Sequence, residues 1–239
     1  MSRIRADLLL VARGLAESRA KARAAIEAGG VTADGARVEK PSDLIAEGAA
    51  LDVTAPHPWV SRGGVKLAHA LDVFGVDPAG RVGLDVGAST GGFTQVLLSR
   101  GAARVYAVDV GRGQLHPTLR GDPRVVSLER IDARALTRAL IPEPPTLIVC
   151  DVSFIGAAKA LATPLSLAAA HADLVVLIKP QFEAGPGKGG VLPASDARQA
   201  GEAAMRALDG EVEFRLVAQT DSPIRGGDGN LEILAHLRR

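Results

Sequence analysis

Cysteine, aromatic side chains, net charge and long apolar runs are all scarce in this chain of 239 residues. The single cysteine, Cys150, excludes an internal disulfide and fits a reducing compartment. A formal net charge of +1 names no partner, so any nucleic-acid signal must come from local clustering. The amino terminus holds only the five-residue apolar run Leu8 to Ala12, too short for a signal-peptide core. No stretch approaches the ~20 apolar residues that span a bilayer. The expectation is therefore a cytoplasmic protein without a membrane partner. His57, His69, His116, His171 and His236 are scattered without ligand spacing, so no metal is expected. What remains, 47% hydrophobic and 23% charged, is the composition of a globular chain, long enough for a large domain and a small companion.

Residues 1–55 have a pattern of their own. "ADLLLVARG" reads as a short helix stopped at Gly14, and Ser18 caps a second, "SRAKARAAIEAGG", with Ala22, Ala25 and Ile26 on its apolar face. Asp34-Gly35 marks a tight turn between short strands, and "LDV" at 51–53 supplies another. Basic residues crowd this end: Arg5 and Arg13, then Arg19, Lys21 and Arg23 at the start of the second helix, where free amides also favour phosphate. A solvated helix face is the bland alternative. Residues 56–64 form a linker with prolines, glycines, the lone Trp59 and a further basic candidate, Arg62. Trp59 lies seven residues before Lys66, which puts its indole within reach of the site rim and suggests that the linker couples the domains. "EAGPGKGG" at 183–190 reads as a loop that orders over RNA.

From residue 65 to 239 strands and helices alternate. Strands are expected at 82–85, 104–109, 125–128, 146–151, 173–178, 212–219 and 231–237, with helices between the first five and at 196–208. Only "DSPIRGGDGN" separates the last two, too short for a parallel crossover, so the final strand must run antiparallel. The result is an α/β fold with a seven-stranded Rossmann-type methyltransferase sheet, preceded by a small α+β domain.

In open α/β sheets, ligands bind beyond the carboxyl ends of the strands. There the chain places Asp85 and the bare loop of "GLDVGASTGGFT": Gly87, Ser89, Thr90, Gly91, Gly92 and Phe93. The glycine spacing misses the Gly-x-Gly-x-x-Gly dinucleotide fingerprint. A carboxylate at the loop mouth would repel a pyrophosphate but attract a sulfonium and an amino group. Asp109, ending the second strand, suits two ribose hydroxyls. The ligand that fits is S-adenosyl-L-methionine, with Asp132 and Asp151 further candidates around it.

Four charges converge on the same edge: Lys66, Asp151 after the fourth strand, Lys179 after the fifth, and Glu232 at the start of the reversed last strand. A Lys, Asp, Lys, Glu set beside such a loop resembles the tetrad of RNA ribose 2′-O-methyltransferases of the FtsJ type. That resemblance implies Lys179 as base, Asp151 as its orienter, and Lys66 with Glu232 as supports. A lysine titrates near ~10.4, so burial and a second lysine are needed to make it a base. Residues 1–55 resemble the S-four-type RNA-binding module through "SRAKA", "IEAGGV", "DGARVEKPS" and "LDV". In order, "VSRGGVKL", "DVGASTGGFT", "VDVGRGQL", "DVSFI", "IKPQFEAG" and "GNLEIL" are similar to the TlyA family of ribosomal RNA cytidine 2′-O-methyltransferases, also called hemolysin-like. The family implies ribosomal RNA or a ribosomal subunit as partner, and a monomer is expected. The chain departs from it at His116-Pro117 and at Asp132, where relatives tend to have Asn. Two other readings compete: a non-catalytic RNA-binding or ribosome-assembly factor with a methyltransferase-like domain, and a base methyltransferase. Cytosine C5 chemistry needs a cysteine nucleophile, and the only cysteine lies in a strand. N-methylating enzymes show Asn/Asp-Pro-Pro-aromatic where this chain has "DVSF".

Overall fold

The computed structural model describes residues 2–54, 57–183, 191–209 and 213–239. Most of the expected loop at 183–190, and Pro56 of the expected linker, lie outside the described residues. The chain divides into two compact units, Met1–Pro58 and Trp59–Arg239.

In the first unit the order is β1 (Arg3–Arg5), α1 (Ala6–Ala12), α2 (Arg19–Glu27), β2 (Val31–Ala33), β3 (Ala36–Arg37), β4 (Leu44–Ala46) and β5 (Leu51–Val53). Ser18 caps α2, its hydroxyl accepting the Lys21 amide at 3.3 Å. Ala22, Ala25 and Ile26 bury against Ala6, Leu10 and Val31. Asp34 and Gly35 both take positive φ, 50° and 79°, the mirror-image turn whose twist suits a hairpin, and β2 pairs β3 across it. β5 pairs antiparallel with β2, and a separate ribbon joins β1 to β4.

The second unit runs α3 (Gly63–Phe74), β6 (Val82–Val86), α4 (Gly92–Ser99), β7 (Arg104–Asp109), α5 (Pro117–Arg120), β8 (Val125–Glu129), β9 (Leu147–Cys150), α6 (Ala157–Ser166), β10 (Asp173–Ile178), α7 (Pro180–Glu183), α8 (Ala194–Leu208), β11 (Arg215–Asp221) and β12 (Ile233–Arg238). The sheet order is β11-β12-β10-β9-β6-β7-β8. β12 is antiparallel to both β10 and β11, and the remaining pairs are parallel. The expected seven-stranded sheet with a reversed last strand is present. Every residue of β9 and β10 is buried, as central strands covered on both faces require. Leu161, Leu165 and Leu208 cover one face, and Leu67, Leu71 and Leu97 the other.

Two local expectations fail. Between β8 and β9 there is only a 3₁₀ turn, Ala133–Ala135, because Pro142, Pro144 and Pro145 cannot continue a helix. β11 spans Arg215–Asp221 instead of the expected 212–219, of which residue 212 lies outside the described residues, and it carries a bulge between Leu216 and Ala218. Trp59–Gly64, read as linker, is grouped with the second unit. A Cβ on Gly64 would stand 2.4 Å from the Trp59 ring, so only glycine lets the indole lie against the start of α3. The Val60 amide donates to Gln95 Oε1 at 2.6 Å.

At the amino-terminal edge of the sheet, Asp173 accepts from Arg81 and Arg238 at 2.8 Å each and lies 2.7 Å from His236 Nε2. The imidazole stacks on Phe74, with ring centroids 5.6 Å apart. These partners hold the Asp173 carboxyl well below its ordinary range, against the burial that would raise it.

Candidate active site

At the opposite edge, β6 ends in the glycine loop. Gly87 has φ 85°, and a Cβ there would stand 2.7 Å from the Asp151 carbonyl, so the loop crosses the end of β9 at backbone distance. Beyond it opens a cavity of 620 Å³, within the ~300–1,000 Å³ usual for small-molecule sites. Gly87, Ser89, Asp109, Asp132 and Asp151 of the expected cofactor set line it. Asp109 Oδ2 accepts the Ser89 amide at 2.8 Å and Oδ1 the Gly111 amide at 2.7 Å, which fixes the carboxylate while leaving each oxygen a further lone pair. Asp132 is held by Arg134, whose side chain and amide donate to it and pull its carboxyl down to about 2. Thr90, Gly92 and Phe93 face instead a smaller cavity of 210 Å³, which shares Gly87, Ser89, Asp151 and Ser153 with the first and also holds Lys179. Gly91, at φ 95°, caps α4 and lines neither of these two cavities.

Asp85 is a correction. It is fully buried, not at the loop mouth, and Thr94 Oγ1 donates to its Oδ2 at 2.6 Å while Oδ1 has no hydrogen-bond partner among the described residues. Burial pushes its carboxyl up to about 7, and the nearby Asp151 charge adds to this despite the Thr94 bond. The backbone alternation of β6 explains it: Asp85 is the penultimate strand residue and points under the first turn of α4, where Thr94 meets it.

The four charges of the expected tetrad form two ion pairs. Lys66 donates to Glu232, and both are almost fully buried, lining neither cavity. Lys179 Nζ lies 2.6 Å from Asp151 Oδ1, off the hydrogen-bonding angle, and donates to Ser153 Oγ at 2.8 Å. The pairs are linked through α3: a Cβ on Gly63, one turn before Lys66, would lie 3.6 Å from Asp151 Oδ2.

Sequence reasoning missed three neighbours. Ser153 sits in both cavities, Phe154 is 90% exposed with φ 67° and its ring lies 5.0 Å from that of Phe182, and Glu183 Oε1 accepts the Ala157 amide at 2.8 Å. "DVSFI" carried the signal, but it reads as a family motif and against an N-methylating one, with no role assigned to Ser153 or Phe154. In the first unit, the basic residues are less free than expected. Arg5 and Arg19 both clasp the buried Asp7, whose carboxyl they hold far below its usual range. Arg13 donates to the carbonyls of Ala49 and Glu47, Lys21 pairs with Glu17 at 2.6 Å and Arg23 with Glu27 at 3.8 Å. Arg62 is exposed in the second unit.

Among the described residues, no group of three or more His, Cys, Asp or Glu could hold a metal ion, and no helix is long and apolar enough to cross a membrane.

Residues 59–239 match the FtsJ-like methyltransferase family and residues 4–51 the S4 domain. Fold and site together thus define a methyltransferase that carries an S4 RNA-binding domain. The 16S/23S rRNA (cytidine-2′-O)-methyltransferase TlyA of Mycobacterium tuberculosis is 47% identical, over 99% of this chain and 90% of its own. Hemolysin A of Brachyspira hyodysenteriae is 40% identical, over 98% and 99%. The solved structure of a hemolysin-named protein from Streptococcus thermophilus is 39% identical with a TM-score of 0.77, covering 100% of this chain and 89% of that one. The chain belongs to the TlyA family of FtsJ-like methyltransferases, enzymes dependent on S-adenosyl-L-methionine.

Proposed function

We propose that the protein transfers a methyl group from S-adenosyl-L-methionine to the 2′-hydroxyl of a cytidine in ribosomal RNA, acting as a cytoplasmic monomer. In this reading residues 1–55 dock the RNA, 56–64 connect, and 65–239 carry out the chemistry. The observation that carries it is the Lys179–Asp151 pair, 2.6 Å apart, lining the smaller cavity where it shares Asp151 with the larger one.

The residues present fit the cofactor: a fixed carboxylate for a diol at Asp109, backbone at Gly87 and Ser89 with little side chain to obstruct it, and a cavity of adequate size. When bound, it supplies a methyl group already activated by a positive sulfur. The protein's own task is then alignment and proton removal. Lys179 would take the 2′-hydroxyl proton, while the cofactor, held at Asp109 and along Gly87 and Ser89, would supply the methyl group to that oxygen. Asp151 stabilises the ammonium that results, and the buried Lys66–Glu232 pair holds α3 and β12 in place behind it. Phe154 offers an exposed ring face on which a nucleobase can stack.

Chemistry at cytosine C5 is disfavoured, because Cys150 is fully buried and burial pushes its thiol far up. The assembly-factor reading keeps the RNA-binding domain but gives the charged pair no task. The test is to incubate the full chain with methyl-labelled cofactor and ribosomal subunits lacking these modifications, then digest the RNA to nucleosides. Label in 2′-O-methylcytidine is expected. Label in 5-methylcytidine, or none despite calorimetric cofactor binding, would overturn the reading.

A further inference from the structure

We infer that Ser153 is a positioning residue that sets the direction of the Lys179 amine, resting on the reading of Lys179 as base. A neutral lysine amine has two N–H bonds and one lone pair, and rotates freely about its last carbon unless something fixes it. Asp151 lies close to Nζ, at 2.6 Å, but outside hydrogen-bond geometry. It therefore supplies charge without direction. Among the described residues, Ser153 Oγ is the acceptor that meets Nζ in proper geometry, at 2.8 Å. With one N–H held by Ser153, the amine no longer rotates freely and its lone pair is confined to the two remaining positions.

Ser153 is well placed for this. It lines both the larger cavity and the smaller one, as Asp151 does, so it stands where cofactor and acceptor must meet. Its loop is also tied down from the far side. Phe154 holds a left-handed backbone, φ 67°, which a non-glycine residue adopts only when its surroundings impose it. Glu183 Oε1 accepts the Ala157 amide at 2.8 Å, joining the end of the Asp151–Gly156 loop to the turn that follows Lys179. Base and acceptor thus belong to two segments locked to each other, and the 2.8 Å bond is a consequence of that register.

Full-length wild type, Ser153→Ala, Ser153→Thr and Lys179→Ala are compared with labelled cofactor and unmodified ribosomal subunits, measuring kcat, both KM values and cofactor Kd by calorimetry. Ser153 is exposed, so the alanine variant should fold, as its thermal melt will verify. A misdirected amine should cost ~10- to 100-fold in kcat, with Kd and KM within twofold, and threonine should restore most of the rate by keeping the hydroxyl. Wild-type kcat in Ser153→Ala beside an inactive Lys179→Ala would overturn the role of Ser153 alone. An alanine variant that loses cofactor affinity as much as rate would mark a structural serine and overturn it too. An active Lys179→Ala would sink the base itself, and the positioning role with it.

Discussion

The two edges of the central sheet use the same residue types to opposite ends. At the amino-terminal edge, Asp173 has Arg81, Arg238 and His236 around it, and its carboxylate is satisfied. At the carboxyl-terminal edge, Asp85 Oδ1 and Asp151 Oδ1 are buried without a hydrogen-bond partner among the described residues, although Lys179 Nζ stands 2.6 Å from the latter, and like charges lie near each other. Buried polar groups are normally paired, and of these two carboxylates Asp151, which lines both cavities, is the one that a ligand can reach. The Asp173 cluster is structural, whereas Asp109 and Asp151 face the cavities where the chemistry is proposed.

Substitutions of residues that line the cavities and of those that do not should separate accordingly. The largest effect is expected from Asp151→Asn, which removes the charge beside Lys179: turnover should fall by ~100-fold or more, with the thermal melt little changed. Glu232→Gln should act in the other currency. It leaves the Lys66 ammonium buried without its counter-charge, at a cost of roughly 3–5 kcal/mol in denaturant unfolding. Asp173→Ala should likewise destabilise by roughly 3–5 kcal/mol while leaving cofactor affinity unchanged, since it strands Arg81 and His236 at the far edge. Asp109→Ala should weaken cofactor binding about tenfold or more in calorimetry, at ~1.5–3 kcal/mol for each hydrogen bond to a charged acceptor.

The subtlest contrast is in pH. Asp173 is held below its ordinary value, so its contribution to stability is present at neutral pH and is lost only as strongly acid conditions protonate it. Asp85 is raised to about 7, so the folded state keeps a proton that the unfolded chain releases near ~4. Between those values the folded state binds more protons, and stability falls as pH rises, levelling off above about 7. Asp85→Asn should flatten that slope in cofactor-free denaturation series from pH 5 to 8; an unchanged slope would mean that Asp85 is not its source.

The central strands and the reversed last strand were legible because β9 and β10 are continuous apolar runs and the connection before β12 is too short for a crossover. The positions of Asp109, Asp151 and Lys179 followed, since the first ends a strand and the other two directly follow one. What was not legible is side-chain direction at those ends. Asp85 looks like a loop-mouth carboxylate until the first turn of α4 closes over it. The basic cluster at Arg19, Lys21 and Arg23 reads as a phosphate site until Asp7, Glu17 and Glu27 are seen to partner it. Asp7 gave no signal, because nothing in a sequence marks which carboxylate two arginines will enclose. The 3₁₀ turn in place of a helix was visible in the prolines that follow it, and alternation of strands and helices was weighed above them.

The central claim, that Lys179 removes the ribose proton, is tested most directly by Lys179→Arg, which keeps the positive charge but cannot be deprotonated in the working range. Methyl transfer to unmodified ribosomal subunits should disappear, while calorimetric affinity for S-adenosyl-L-methionine stays within about twofold of wild type. An arginine variant that still forms 2′-O-methylcytidine at an appreciable rate would contradict it.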